Sequence, residues 1–136
     1  MVRIGKWELL RFKRSDDNRG SLCFGEVRKE IPFAVQRVFW VFGTPTGTVR
    51  GHHAHREGWQ VHICLNGWAK VSLDNGREKS DVTLDSPDSG LLISPHVWHS
   101  FQLSSSATLF VLTSNNYDET DYLRHYDDFL KEVRGV

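Results

Sequence analysis

The sequence has no apolar run near the roughly 18 residues that cross a bilayer as a helix. Its first residues, MVRIGKWELLRFKR, have no apolar core of the kind that directs secretion. Neither sign of charge is in excess, with 17 Lys+Arg against 17 Asp+Glu. That balance argues against a broadly basic nucleic-acid binder and against a polyanionic tail. Cysteine is scarce: Cys23 and Cys64 share no metal-type spacing and lie in apolar runs, as buried reduced thiols of a cytoplasmic protein would. Repeats, linkers and low-complexity segments are missing. A chain of 136 residues is one domain's worth and buries roughly 68–70 % of its unfolded surface.

What is present is a succession of short β-type runs, rich in β-branched and aromatic residues. Strands are predicted at Trp7–Phe12, Leu22–Val27, Val35–Phe42, Arg50–His55, Gln60–Leu65, Ala69–Leu73, Asp81–Leu84, Gly90–Ile93, His99–Leu103 and Thr108–Thr113. Asn66-Gly67 and Asn75-Gly76 suit tight turns, and Ser86-Pro87, Ser94-Pro95 and Ser104–Ser106 mark loops. Many short strands at regular spacing specify an all-β sandwich or barrel. Only the tail has helical periodicity, through Tyr122, Tyr126, Phe129, Leu130 and Val133, which predicts a helix over about 119–134. Val35–Phe42 is apolar on both faces around Gln36 and Arg37, so both faces are expected to be covered, by a second subunit or by loops of the same chain.

The informative segment is Arg50-Gly51-His52-His53-Ala54-His55. Residues two apart in a strand share a face, so His53 and His55 point one way and His52 the other. Two imidazoles in a barrel interior serve metal ligation, paired acid/base work or anion binding. A metal needs further ligands. His99 is a candidate third, but four positions beyond His55 stands Trp59, which cannot ligate; Gln60 is a weak ligand and Glu57 lies beside a turn. The set is incomplete, which favours acid/base chemistry with no metal. Arg19, Arg37 and Arg50 are candidates for gripping phosphate oxygens, and Arg37, in an apolar strand, needs an anionic partner. By strand parity Arg50 points away from His53 unless Gly51 bends the strand. Trp98, beside His99, is a stacking platform or core packing. The stretch Asp16–Ser21 is a hairpin turn or a pocket lip.

These segments together resemble the small cupin-fold sugar-nucleotide 3,4-ketoisomerases, also found as WxcM-like domains. The likeness rests on Asp17-Asn18-Arg19-Gly20-Ser21-Leu22, Ile31-Pro32-Phe33 with Arg37-Val38, and Arg50-Gly51-His52-His53-Ala54-His55. It continues through Cys64-Leu65-Asn66-Gly67, Thr83-Leu84-Asp85-Ser86-Pro87, Pro95-His96-Val97-Trp98-His99 and Tyr117-Asp118-Glu119-Thr120-Asp121-Tyr122-Leu123-Arg124. The resemblance implies a cupin (double-stranded β-helix, jelly-roll) barrel with a short C-terminal helix. It also implies a homodimer that exchanges an N-terminal strand, and conversion of dTDP-4-keto-6-deoxyglucose to a 3-keto sugar without metal or cofactor. It places the catalytic pair on His53 and His55 and a pocket arginine on Arg50; Arg37, Arg19, Trp98 and His99 complete the expected substrate site. The chain departs from the family in having Phe39 or Trp40 where tyrosine is common, His52 where an aromatic is common, and Trp59 where glutamate is common. The readings that compete are a metal-dependent cupin enzyme on His53, His55 and His99, a 3,5-epimerase of the same barrel, and a non-catalytic sugar-nucleotide binding module.

Overall fold

The structure, a computed structural model, describes residues 2–135. The ten expected strands form with shifted ends, together with two that the sequence did not mark, Lys13–Asp17 and Tyr122–Leu123. In chain order the first are β1 (Trp7–Arg11), β2 (Lys13–Asp17), β3 (Gly20–Phe24), β4 (Arg37–Phe42), β5 (Val49–His55) and β6 (Gln60–Asn66). Then follow β7 (Ala69–Asp74), β8 (Lys79–Leu84), β9 (Ser89–Ile93), β10 (Trp98–Leu103), β11 (Thr108–Thr113), β12 (Tyr122–Leu123) and helix α1 (Tyr126–Arg134).

Two antiparallel five-stranded sheets face each other. One has the order β1-β9-β6-β11-β4 and the other β12-β5-β10-β7-β8. Alternation along each strand fills the space between them: Val71 and Leu73 from one sheet meet Leu91, Leu109 and Val111 from the other. Each such side chain contributes about 1.5–3 kcal/mol by leaving water. This is the all-β barrel with one C-terminal helix that the sequence predicts. Between β6 and β7 the backbone at Gly67 takes φ 70°. A Cβ there would lie 2.3 Å from the Ser104 hydroxyl oxygen, so the turn needs glycine twice over.

Two differences from the sequence reading matter. The Asp16–Ser21 stretch is the end of a hairpin formed by β2 and β3, separate from both sheets, and β2 is exposed along its whole length. Lys13–Asp17 carries no apolar pattern, so no periodic signal marks it as a strand. The helix is also shorter than expected. The Asp118 side chain accepts from the Thr120 amide and caps a single 3-10 turn at Glu119–Asp121. The chain then extends, so that Tyr122 and Leu123 pair with His55 and Ala54 of β5. Tyr122 belongs to this bridge, and its four-residue spacing from Tyr126 is incidental. α1 itself packs Phe129, Leu130 and Val133 against Trp98, Ala54 and Leu123 and ends at Gly135 with φ 69°.

β4 is the edge of its sheet. Its inner residues Arg37, Phe39 and Val41 are partly buried, whereas outer Val38, Trp40 and Phe42 are 43 %, 57 % and 67 % exposed. Ile31, Phe33 and Val35 cover Val61, Leu92 and Leu112 on the same outer sheet face. They stop short of β4, so the chain's own loops do not supply the cover expected there. Among the described residues no helix is long and apolar enough to cross a membrane.

Candidate active site

The cleft opens between the edge of the first sheet, β4, and the edge of the second, β5 with β12. It has a volume of about 320 Å³, and its walls include Arg37, Phe39, Arg50, His53, Gln60 and His99. Antiparallel pairing sets His53 opposite His99, and Arg50 opposite Phe101. Three steps along β5 therefore match two along β10, which defines a bulge. Gly51 sits in it at φ 103°, where a Cβ would come within 3.3 Å of the Ser100 backbone. The bulge reverses strand parity. Arg50 lands on the same face as His53, as the sequence allowed only if Gly51 bent the strand.

His53, His55 and His99 come together. A ring nitrogen from each lies within 4.8 Å of the others. The His53 ring is 5.0 Å from His55 and 4.8 Å from His99, in both cases edge to face. His53 lines the cleft, and neither of its ring nitrogens has a protein partner among the described residues. His55, 4 % exposed, is not among the residues that line the cleft; it lies behind them, its ring 4.5 Å from that of Tyr122. The His99 Nδ1–H donates to the Val97 carbonyl at 3.1 Å, which leaves Nε2 as a bare acceptor. Burial, reinforced by the neighbouring imidazoles, pushes the His53 pKa down to about 2 and that of His99 to about 4. Both rings are neutral near pH 7.

Behind this trio lies a chain of polar groups to which the sequence reading gave no role. The Nδ1–H of His55 donates to Asp121 Oδ2 at 3.0 Å. Asp121 also accepts from the Glu57 amide at 2.7 Å and from Asn115 Nδ2 at 3.2 Å. Burial raises the Asp121 carboxyl, but these hydrogen bonds together outweigh it and hold the pKa below its ordinary value. On the other side of His55, the amide of Gln60 lies between the Nε2 atoms of His55 and His62, at 3.1 and 2.8 Å. Gln60 and His62 alternate inward along β6 while Val61 turns outward. That polar parity in an apolar strand is the same signal that singled out His53 and His55. Asp121 lies 66 residues from His55 in sequence, and no local spacing connects the two.

The cleft's cations are Arg37, Arg50 and Arg124. Arg124 pairs with Glu119 at 2.5 Å and stacks on the Tyr122 ring at 4.3 Å. Arg37 has no carboxylate within ion-pair distance among the described residues; its Nη2 donates to the Tyr122 hydroxyl at 3.4 Å. No carboxylate among the described residues supplies the anionic partner that Arg37 calls for. Two expected site residues lie elsewhere. Trp98 alternates to the far side of β10 and packs edge-on against Tyr126, 5.4 Å away, so it is no stacking platform in this cleft. Arg19 stands at the tip of the β2–β3 hairpin, 86 % exposed and paired with Asp17, outside the cleft of its own chain. His52 is exposed on the opposite face of β5, and Trp59 packs into the outer cluster around Phe12 and Ile31.

Comparison with known proteins matches residues 5–134 to the WxcM-like, C-terminal family (FdtA). The chain is 46 % identical over 130 residues to the TDP-4-oxo-6-deoxy-alpha-D-glucose-3,4-oxoisomerase of Aneurinibacillus thermoaerophilus, covering 95 % of this chain and 94 % of that protein. Its structure superposes on a 3,4-ketoisomerase from Helicobacter canadensis with a TM-score of 0.91, at 39 % identity over 94 % of this chain and 97 % of the other. The sugar 3,4-ketoisomerase QdtA from Thermoanaerobacterium thermosaccharolyticum, in complex with TDP, gives a TM-score of 0.92 at 37 % identity, with 95 % of each chain covered. The sheet order, the histidine-lined cleft and these likenesses agree: the chain belongs to the WxcM-like family of cupin-fold 3,4-ketoisomerases.

Proposed function

We propose that this chain converts dTDP-4-keto-6-deoxyglucose to a dTDP-3-keto-6-deoxyhexose through an enediol, with no metal in the chemistry. The observation that carries the mechanism is the unequal setting of the two histidines on β5. His53 faces the cleft with both ring nitrogens free of protein partners, so it is the carbon base. It takes the C3 proton, acidified by the C4 ketone, and returns a proton to C4. The electron pair of the C3–H bond becomes the C3–C4 double bond of the enediol, then forms the C4–H bond. His55, backed by Asp121, takes the C3 hydroxyl proton at Nε2 and passes it to the C4 oxygen, so the sum is an isomerisation with no net oxidation. A carboxylate behind an imidazole stabilises the charge that the ring gains. Arg37 and Arg50 are suited to the pyrophosphate, where guanidinium meets phosphate oxygens bidentately. Their grip positions the sugar and supplies part of the barrier reduction.

The functional unit in this reading is a homodimer. The uncovered Val38, Trp40 and Phe42 give it an apolar face. The free-standing β2–β3 hairpin is the piece available for exchange, and exchange would take Arg19 to the partner's cleft. Related enzymes support the substrate: QdtA has been crystallised with TDP, and a His-to-Asn variant of it with TDP-4-keto-6-deoxyglucose.

A metal-dependent reading has one observation in its favour, the convergence of His53, His55 and His99. Against it, a cation at His55 Nε2 would have to displace the Gln60 amide, and Nδ1 is taken by Asp121. The test is NMR of the protein with dTDP-4-keto-6-deoxyglucose in deuterium oxide, with a chelator present. A 3-keto product carrying deuterium at C4 supports the proposal. Activity lost to the chelator and restored by one metal overturns the metal-free mechanism. Exchange at C5 would indicate an epimerase, and dTDP binding without turnover a binding module.

A further inference from the structure

The buried His62 presents a puzzle. It is 1 % exposed, its Nε2 is satisfied by Gln60, and its Nδ1 has no partner among the described residues. Burial holds its pKa well below the ordinary value, with His99 and His55 adding to the effect, so the ring carries one proton. That proton sits on Nε2 or on Nδ1. On Nδ1 it would be an N–H buried without an acceptor, which costs the full desolvation of a donor. On Nε2 it donates to Gln60 Oε1, and the orphan is only a lone pair. The second arrangement wins.

The consequence passes down the chain. With its oxygen held by His62, Gln60 must turn its NH2 towards His55, where it donates to Nε2. His55 therefore carries its proton on Nδ1, aimed at the Asp121 carboxylate. Turning the amide round would set two errors at once: a buried orphan N–H on His62, and an N–H required at His55 Nε2 where a lone pair now stands. The resting preference is thus set from two sides: by the Asp121 carboxylate at Nδ1, and by a dead-end lone pair two residues along β6 that orients the amide at Nε2.

We propose that Gln60 and His62 are positioning residues that fix the tautomer of His55, so that its Nε2 enters the reaction as a proton acceptor. The Gln60 N–H occupies that lone pair until a hydroxyl of the sugar displaces it. His62 itself touches neither Asp121 nor His55; it acts only through the orientation of one amide. This rests on the ketoisomerase reading for its purpose but not for its test.

The experiment is ring-nitrogen NMR of ¹⁵N-histidine-labelled protein without substrate, together with steady-state kinetics. In the wild type, His55 should show a protonated Nδ1 and an unprotonated, hydrogen-bonded Nε2. Gln60→Glu can only accept, so His55 should become protonated at both nitrogens, with kcat falling by about tenfold or more. His62→Phe removes the lone pair that opposes turning of the amide, so the His55 Nε2 signal should move towards the protonated type. A wild-type His55 with its proton on Nε2 overturns the proposal, even if neither variant folds. So do His55 signals unmoved in both variants. Because the spectra need no turnover, a protein inactive on the sugar would refute the proposed reaction and leave the tautomer assignment standing.

Discussion

Asp121→Asn exchanges one oxygen for an NH2 at the point where three donors converge. The Glu57 amide, at 2.7 Å, is the shortest of them and should keep the remaining oxygen. The new NH2 then occupies the place of Oδ2, facing the Nδ1–H of His55 and the NH2 of Asn115. Donor now meets donor. His55 can escape only by moving its proton to Nε2, where it meets the Gln60 NH2. The residue behind the reaction is thereby held in the wrong tautomer with no carboxylate behind it. Comparable changes behind a catalytic histidine cost about 10²–10⁴-fold in kcat, or about 3–5 kcal/mol of barrier. KM should change little, because Asp121 does not line the cleft. Stability should fall too, since a hydrogen bond to a charged group contributes about 1.5–3 kcal/mol. Asn115→Ala is the control: it removes one donor to the same oxygen and leaves His55 untouched. The assay is product formation at saturating substrate, beside the thermal midpoint of each variant. A folded Asp121→Asn protein with kcat within about threefold of wild type would refute the argument. Equal losses in Asn115→Ala would do the same, by showing that the effect is structural.

Three further outcomes are expected. His53→Asn should abolish turnover while the circular dichroism spectrum and dTDP binding persist; a rate near wild type would remove His53 as the base. His53 and His99 are held neutral in the fold but bind a proton near pH 6.5 when unfolded, so the unfolded state takes up more protons below that pH. Stability should be full above about pH 6.5 and be lost progressively as the pH falls towards 4. A double variant, His53→Asn with His99→Asn, should reduce that slope in thermal melts, leaving the share of buried His62, and an unchanged slope would contradict the assignment. Trp40→Asp places a charge on the uncovered face of β4 and should shift the sedimenting species from dimer to monomer; an unaltered dimer would mean that this face is not the interface.

The barrel was legible in the sequence because its strands carry strong β propensity and its turns carry Asn-Gly and Ser-Pro. The face shared by His53 and His55 was legible for the same reason: period two survives wherever a strand is regular. Arg50 shows where parity fails, since one bulge at Gly51 changes the answer, and its presence depends on pairing with β10. Gln60 and His62 could have been found by applying to β6 the alternation argument used for β5. Asp121 and Tyr122 could not, because their role depends on a tail that returns across some 66 residues to meet β5. The three- to four-residue spacing of Tyr122 with Tyr126 and Phe129 read as helix, and the helix was expected to begin before Asp121. Trp98 illustrates the opposite error: adjacency to His99 suggested a shared site, but neighbours in a strand face opposite ways.

The tail that brings Asp121 into place is anchored lightly. β12 has two residues, its preceding turn is capped by Asp118, and Arg56 ties it down through the Thr120 carbonyl at 2.6 Å. The main core between the sheets contains none of its residues; what depends on it is the edge pairing with β5 and the separate cluster of Phe129, Leu123 and Ala54. Segments fastened in this way open at a lower free energy than the whole molecule. The enzyme should therefore lose its activity at a denaturant concentration that leaves the barrel standing, with inactivation and unfolding as two separate transitions. During synthesis the order reverses: β4 and β5 are made while the cleft still lacks Tyr122, Arg124 and the Asp121 carboxylate, and it stays inert until the tail docks.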